Sequence, residues 1–151
     1  MKKTLSSVAL ALLLIACDCT DTCKNVDATA AATPGTPGHF KQTVKDRVFF
    51  NFNESSLSAD AKKTLEAQAG WLKVYSSTTA TVEGKCDARG TREYNLALGA
   101  RRADSAKKTL EGLGISKDRL KTVSFGKEKL EVVGDTEECH AQNRVAITVI
   151  N

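Results

Sequence analysis

Between Gly84 and Asp104 the chain reads GKCDARGTREYNLALGARRAD, so that one carboxylate, Asp87, stands among Arg89, Arg92, Arg101 and Arg102, with the thiol of Cys86 beside it. Taken as bare residues, this is either a solvated connection or a binding loop. A pair between Asp87 and Arg102 on an open surface would contribute under about 1 kcal/mol. Catalysis would have to use Cys86 as nucleophile and His140 as base, since the other histidine, His39, falls in an N-terminal stretch without apolar period. No third orienting group or oxyanion hole accompanies that pair, so an enzyme is not expected. Metal ligation would need Cys86, Cys139 and His140, or Cys19 and Cys23 with Asp18 and Asp21. Neither set has the close paired spacing of a zinc module, and no metal or cofactor is expected.

The elements that must hold this loop are legible on both sides of it. Val48, Phe50 and Phe52 alternate with Arg47, Phe49 and Asn51, the period of a strand with one apolar face. Ser58 is placed to cap a helix whose Ala61, Leu65, Ala69 and Leu72 form a stripe, with Asp60 in the first turn. A second strand is expected over residues 79–83, ending at Gly84. A second helix is expected to start on Asn95 and to bury Leu96, Gly99, Ala103, Ala106, Leu110 and Leu113, ending at Gly112 to Gly114. Strands follow over residues 120–125 and 144–150, the last with Val145, Ile147 and Val149 on one face. The alternation predicts an α/β sandwich, with helices covering one face of a four-stranded mixed sheet.

Ahead of this domain the chain changes character. Lys2 and Lys3, then the mostly apolar residues 5–16, then Cys17 read as an export signal too short to span a bilayer. The end of that stretch, Leu14-Ile15-Ala16-Cys17, resembles the lipobox of bacterial lipoproteins. The resemblance implies cleavage before Cys17 and lipidation of its sulfur, and several acyl chains would make the anchoring effectively permanent. The expected organisation is a signal over residues 1–16, a lipidated start and Pro- and Gly-rich tether over 17–39, and a folded domain over 40–151. Export also permits disulfides among the five cysteines. Without Lys2 and Lys3 there remain 20 basic and 18 acidic residues, and aromatics are only 5% of the chain, which excludes a nucleic-acid surface.

The segment GKCDARGTREYNLALGARRAD resembles the peptidoglycan-binding segment of the OmpA-like family, in its lipoprotein members. VFFNFNESSLSADAKKTLEAQAGWLK, TVSFGKEKLEVVG and QNRVAITVI carry the likeness through essentially everything after the tether. It implies an OmpA-like domain bound to peptidoglycan through the diaminopimelate of a stem peptide. It also implies TolB and the Tol complex as partners, and an outer-membrane anchor with the domain in the periplasm. Diaminopimelate ends in an ammonium and a carboxylate. Asp87 would take the ammonium, and Arg102 would fork onto the carboxylate with two charge-assisted bonds. Main-chain groups at Phe52, Asn53, Glu54 and Leu98 would add contacts, and Asn143 matches a further family position. The alternative is an OmpA-like scaffold that binds Tol proteins with little or no hold on peptidoglycan.

The chain departs from the family pattern at several places. Asn53 stands where a carboxylate is usual, Val145 where an arginine is usual, and Lys85 where a lysine could compete for Asp87. Cys86 and Cys139 fall in regions that border the binding face in this fold, so they are expected either to form a disulfide or to stay as two buried thiols. Asp18, after the lipidated cysteine, retains lipoproteins in the inner membrane of some bacteria, which leaves that membrane as a second location.

Overall fold

A computed structural model describes residues 33–151, so Cys17, Asp18, Cys19, Asp21 and Cys23, the expected signal and most of the expected tether lie outside the described residues. The order of elements is α1 (Pro37–Val44), β1 (Arg47–Phe49), α2 (Ala59–Val74), β2 (Ala80–Lys85), α3 (Arg92–Gly112), β3 (Leu120–Gly126), α4 (Glu137–Asn143) and β4 (Val145–Ile150). Each of these helices begins on a hydroxyl. Thr36, Ser58, Thr91 and Thr136 accept from the backbone N–H of His39, Ala61, Tyr94 and Cys139, satisfying donors that the helix itself leaves unpaired.

The strands form one mixed sheet in the order β1-β4-β2-β3. β4 runs antiparallel to both of its neighbours, and β2 runs parallel to β3. A parallel pair requires a crossover, which α3 supplies. On the sheet face toward the helices, Val48, Ala80, Val82, Ala146 and Ile150 pack with Leu65 and Leu72 of α2 and Ala103, Ala106 and Leu110 of α3. The fold class expected from the sequence, helices on a four-stranded mixed sheet, is the one observed.

Several boundaries differ from the sequence expectation, each for a local reason. The tether ends sooner, because Pro37 at the start of α1 is preset for a helix and Phe40 buries against Trp71 at a ring separation of 5.0 Å. The first strand stops at Phe49, since the chain turns at Asn51, where Glu54 N–H donates to its carbonyl. Phe50 stays in the core, but Phe52 is carried out of it and is 59% exposed. α3 starts one turn before Asn95, because Thr91 is the cap. Leu96, expected in the buried stripe, is half-exposed, and Leu98 is buried. In β4, Val145 and Ile147 do share a face, but the helices meet the opposite one, where Thr148 Oγ1 donates to Gln68 Oε1 of α2 at 2.8 Å. α4 was not anticipated at all.

One contact sets how α3 lies on the sheet. A Cβ at Gly84 of β2 would stand 1.8 Å from the carbonyl oxygen of Gly99 in α3, and a Cβ at Gly99 would stand 2.4 Å from Ser124 Oγ of β3. Only two glycines allow the helix backbone this near the strands, and the approach brings the first half of α3 beside the end of β2. Gly84→Ala is expected to destabilise the domain by about 2–3 kcal/mol, since backbone rather than a flexible side chain must yield. Gly70→Ala, in α2 with nothing within 4 Å of the added methyl, is expected to stabilise by up to about 1 kcal/mol. Urea unfolding of the two variants measures the contrast.

Candidate functional site

A cavity of about 90 Å³ opens between the turn after β1, the end of β2 and the first half of α3. Of the residues expected from the sequence, Phe52, Asn53, Asp87, Leu98 and Arg102 line it, and Glu54 and Asn143 do not. Its volume suits the end of one side chain rather than a sugar ring or a drug-sized ligand, which need several hundred cubic ångströms.

Arg102 projects from α3 into the floor of this cavity and is fully buried. Its Nε donates to the carbonyl of Glu54 at 2.8 Å, Nη1 to Lys85 at 3.0 Å and Nη2 to Asn51 at 3.1 Å. The expected free fork is thus largely engaged: three of five N–H donors hold backbone, and the Cys86 thiol takes a further contact. Burial pulls the guanidinium below its usual range, against the attraction of Cys86 and Asp87. Arginine nevertheless keeps its proton in proteins. No ion pair joins Asp87 to Arg102, so the bland reading of a mutual salt bridge is not what forms.

Asp87 follows β2 and is 4% exposed. Its Oδ2 lies 2.6 Å from Arg89 Nη2 and 3.3 Å from Arg144 Nη1, and Oδ1 accepts from the Arg89 backbone N–H at 3.3 Å. Burial pushes the carboxyl up, but Arg89, with Arg144 behind it, holds it below the ordinary aspartate range. The group is an anion at neutral pH. Asn53 suits its place for a backbone reason, since its φ of 59° is left-handed, which Asn tolerates better than most residues. Its side chain accepts from the Tyr94 hydroxyl across the cavity mouth.

Lys85 does not compete for Asp87. Strand alternation turns it to the opposite face of the sheet, where it pairs with Glu131 and lies 3.5 Å from Glu83. Arg47 Nη1 reaches Glu131 at 3.0 Å on the same face. Burial raises the Glu131 carboxyl, but Lys85 and Arg47 more than offset this and leave it below the usual range. Asn143 belongs to this region as well. Its amide accepts from the N–H groups of Glu131 and Val132 and donates to the Val132 carbonyl at 2.8 Å, so its side chain fastens a loop and is not turned to the cavity.

The expected disulfide between Cys86 and Cys139 does not form. Cys86 is a free buried thiol, 3.4 Å from the Asn95 carbonyl, whereas Cys139 is disulfide-bonded elsewhere. The two sulfurs have different surroundings: Cys139 Sγ lies beside Gly134 and accepts from Thr136 Oγ1, and Cys86 lies against the floor of the cavity. His140 has Asp135 at 3.3 Å from Nε2, so it and Cys86 keep separate partners and compose no nucleophile and base.

Sequence reasoning missed Arg89, Arg144, Tyr94 and Glu137 as parts of the site. Arg89 had a signal, being two residues past Asp87 in a turn closed by Gly90 at φ 84°. Glu137 had none, because its contact with Arg89 spans 48 residues. Asn95, expected as a cap, instead donates from inside the helix to the carbonyls of Arg89 and Thr91 and so ties the loop to α3.

Residues 49–144, which hold β2, β3, the two long helices and the residues lining the cavity, match the family model described as OmpA. The chain belongs to the OmpA family. Within it, the chain is similar to proteins named peptidoglycan-associated lipoprotein. It is 48% identical over 126 residues to that of Mesorhizobium japonicum, covering 83% of this chain and 75% of the relative. It is 50% identical over 120 residues to that of Agrobacterium fabrum, covering 80% and 68%. The crystal structure of the peptidoglycan-associated lipoprotein from Burkholderia pseudomallei superposes with a TM-score of 0.70 at 36% identity, covering 78% of this chain and 96% of that one. Among the described residues no helix is long and apolar enough to cross a membrane.

Two measurements follow from the buried groups. Because Asp87 and Glu131 titrate lower folded than unfolded, their stabilisation is complete above the unfolded values near about 4 and is lost as pH falls through the folded ones. Unfolding free energy should be level in these groups' contribution from pH 7 to about 5 and should drop below about 4, more shallowly in Glu131→Gln, as read by urea titrations at fixed pH. Burial raises the Cys86 thiol against the lowering effect of Arg102. Iodoacetamide should therefore label Cys86 only after unfolding, and peptide mass mapping that finds it labelled equally in native buffer would contradict this burial.

Proposed function

We propose that this protein is an outer-membrane lipoprotein that binds peptidoglycan noncovalently and links the membrane to the wall. The observation that carries the reading is the meeting, in one small cavity, of an aspartate kept ionised and a buried arginine that makes no ion pair among the described residues. The diaminopimelate of a stem peptide offers the matching charges. Its ammonium would go to Asp87, and its carboxylate to Arg102 and to the free N–H groups at the start of α3. Leu98 and the backbone around Phe52 and Asn53 would flank its methylenes, and Glu54 would act indirectly, through the carbonyl that positions Arg102. The names of the relatives support an association with peptidoglycan and a lipid anchor, for which Cys17 is the residue proposed.

We assign the protein to a Tol-Pal system in envelope integrity and division, with TolB as partner. A second reading, a surface for Tol proteins with a weak hold on peptidoglycan, draws support from a neighbouring groove of about 360 Å³ where Phe49 is half-exposed. Sedimentation with purified sacculi separates the two. Asp87→Asn should lose most pelleting, since an unanswered charge in a closed site costs about 2–5 kcal/mol. Arg102→Lys should weaken it as well, and its urea midpoint reports how much of that loss is folding. Wild type that fails to pellet would leave the scaffold reading, and undiminished pelleting of a folded Asp87→Asn protein would overturn the assignment of the ammonium to Asp87.

A further inference from the structure

The anion that the proposed ligand needs is already spoken for. Asp87 Oδ2 is held by Arg89 at 2.6 Å and by Arg144 at 3.3 Å. Both arginines also reach Glu137, Arg89 Nη1 at 3.1 Å and Arg144 Nη2 at 2.8 Å. Two anions and two cations thus alternate around a closed ring at the cavity mouth. An incoming ammonium must take the place of one guanidinium, and the two differ in how firmly they are held.

Arg144 has a side chain only 9% exposed, and its Nε donates to the Phe50 carbonyl at 3.2 Å. Removing it from Asp87 would strand a buried charge. Arg89 has a side chain 39% exposed and lies over the Phe52 ring at 4.4 Å, itself a solvent-facing residue lining the cavity. It can leave Asp87 and keep Glu137, and water reaches it when it does. Asp87 would retain Arg144 and stay charged.

We propose that Arg89 is an internal competitor for the ammonium site and that this competition sets the specificity of the pocket. A ligand that brings only an ammonium displaces Arg89 from its anion and offers nothing in return. A ligand that brings a carboxylate on the same carbon, besides meeting Arg102, sets an anion near the displaced guanidinium and offsets the loss of Asp87. The exchange therefore favours a zwitterionic side-chain end over a plain amine, diaminopimelate over lysine at the same place in a stem peptide. This rests on the reading of the cavity as a peptidoglycan site.

Calorimetric titration of the full chain with the tripeptide L-Ala-D-Glu-meso-diaminopimelate and with its L-lysine counterpart tests both layers. Wild type should prefer the first. Arg89→Gln should raise affinity for the lysine peptide by about two- to fivefold, the scale of a part-exposed ion pair, and so narrow the preference. Arg89→Lys, which restores a cation at the same place, should restore rejection of the lysine peptide, a rescue that a merely structural arginine would not show. A preference that is unchanged or widened in Arg89→Gln overturns the proposal, as does equal weakening toward both peptides. Wild type that binds neither peptide overturns the peptidoglycan reading itself.

Discussion

A buried guanidinium donating to three backbone carbonyls from separate parts of the chain is the constraint on which this site depends. Arg102 ties the turn after β1, through Asn51 and Glu54, to the end of β2, through Lys85, and does so from the middle of α3. Taking an arginine out of water is costly unless its donors are met, and carbonyls left without partners at strand ends are costly as well. Each satisfies the other here. The result is a rigid floor under the cavity, with its charge fixed in place and no ion pair to it among the described residues.

Above that floor the electrostatics divide into two groups of charges on opposite faces of the sheet. Asp87, Arg89, Arg144 and Glu137 surround the cavity. Lys85, Glu83, Glu131 and Arg47 close the other face, where Asn143 holds the backbone of residues 131 and 132. Regular alternation would put Lys85 and Asp87, two residues apart, on one face, so it is the end of β2 that separates them. The strand ends between them with a register shift at Gly84 and Lys85, which lets Cys86 and Asp87 turn toward α3. A lysine that looks in sequence like a rival for the site aspartate is thereby removed from it.

The dense packing of α3 against β2 and β3 supports this arrangement. Gly84 and Gly99 meet backbone to backbone, and Ser124 of β3 donates to the Leu96 carbonyl at 2.6 Å. Such an approach leaves little room for α3 to slide. The Arg102 side chain therefore arrives at its three carbonyls from a helix whose position is already decided.

Local sequence determined a good deal of this protein. Period-two and period-3.6 patterns marked the strands and the two long helices, Ser58 marked the start of α2, and the loop and helix between Gly84 and Asp104 carried both Asp87 and Arg102. These are features written within a few residues of one another, and local physics reads them: capping, alternation and a stripe of apolar side chains. What only the tertiary structure decided depends on contacts that no capping, alternation or apolar stripe announces. That Phe52 leaves the core, that Cys139 bonds elsewhere than to Cys86, that Asn143 holds a loop and that Glu137 closes a ring with Arg89 are outcomes of packing, which has no signature at short range. An arginine in a sequence offers five donors; the fold alone settles how many are spent on its own backbone and how many are left for something else.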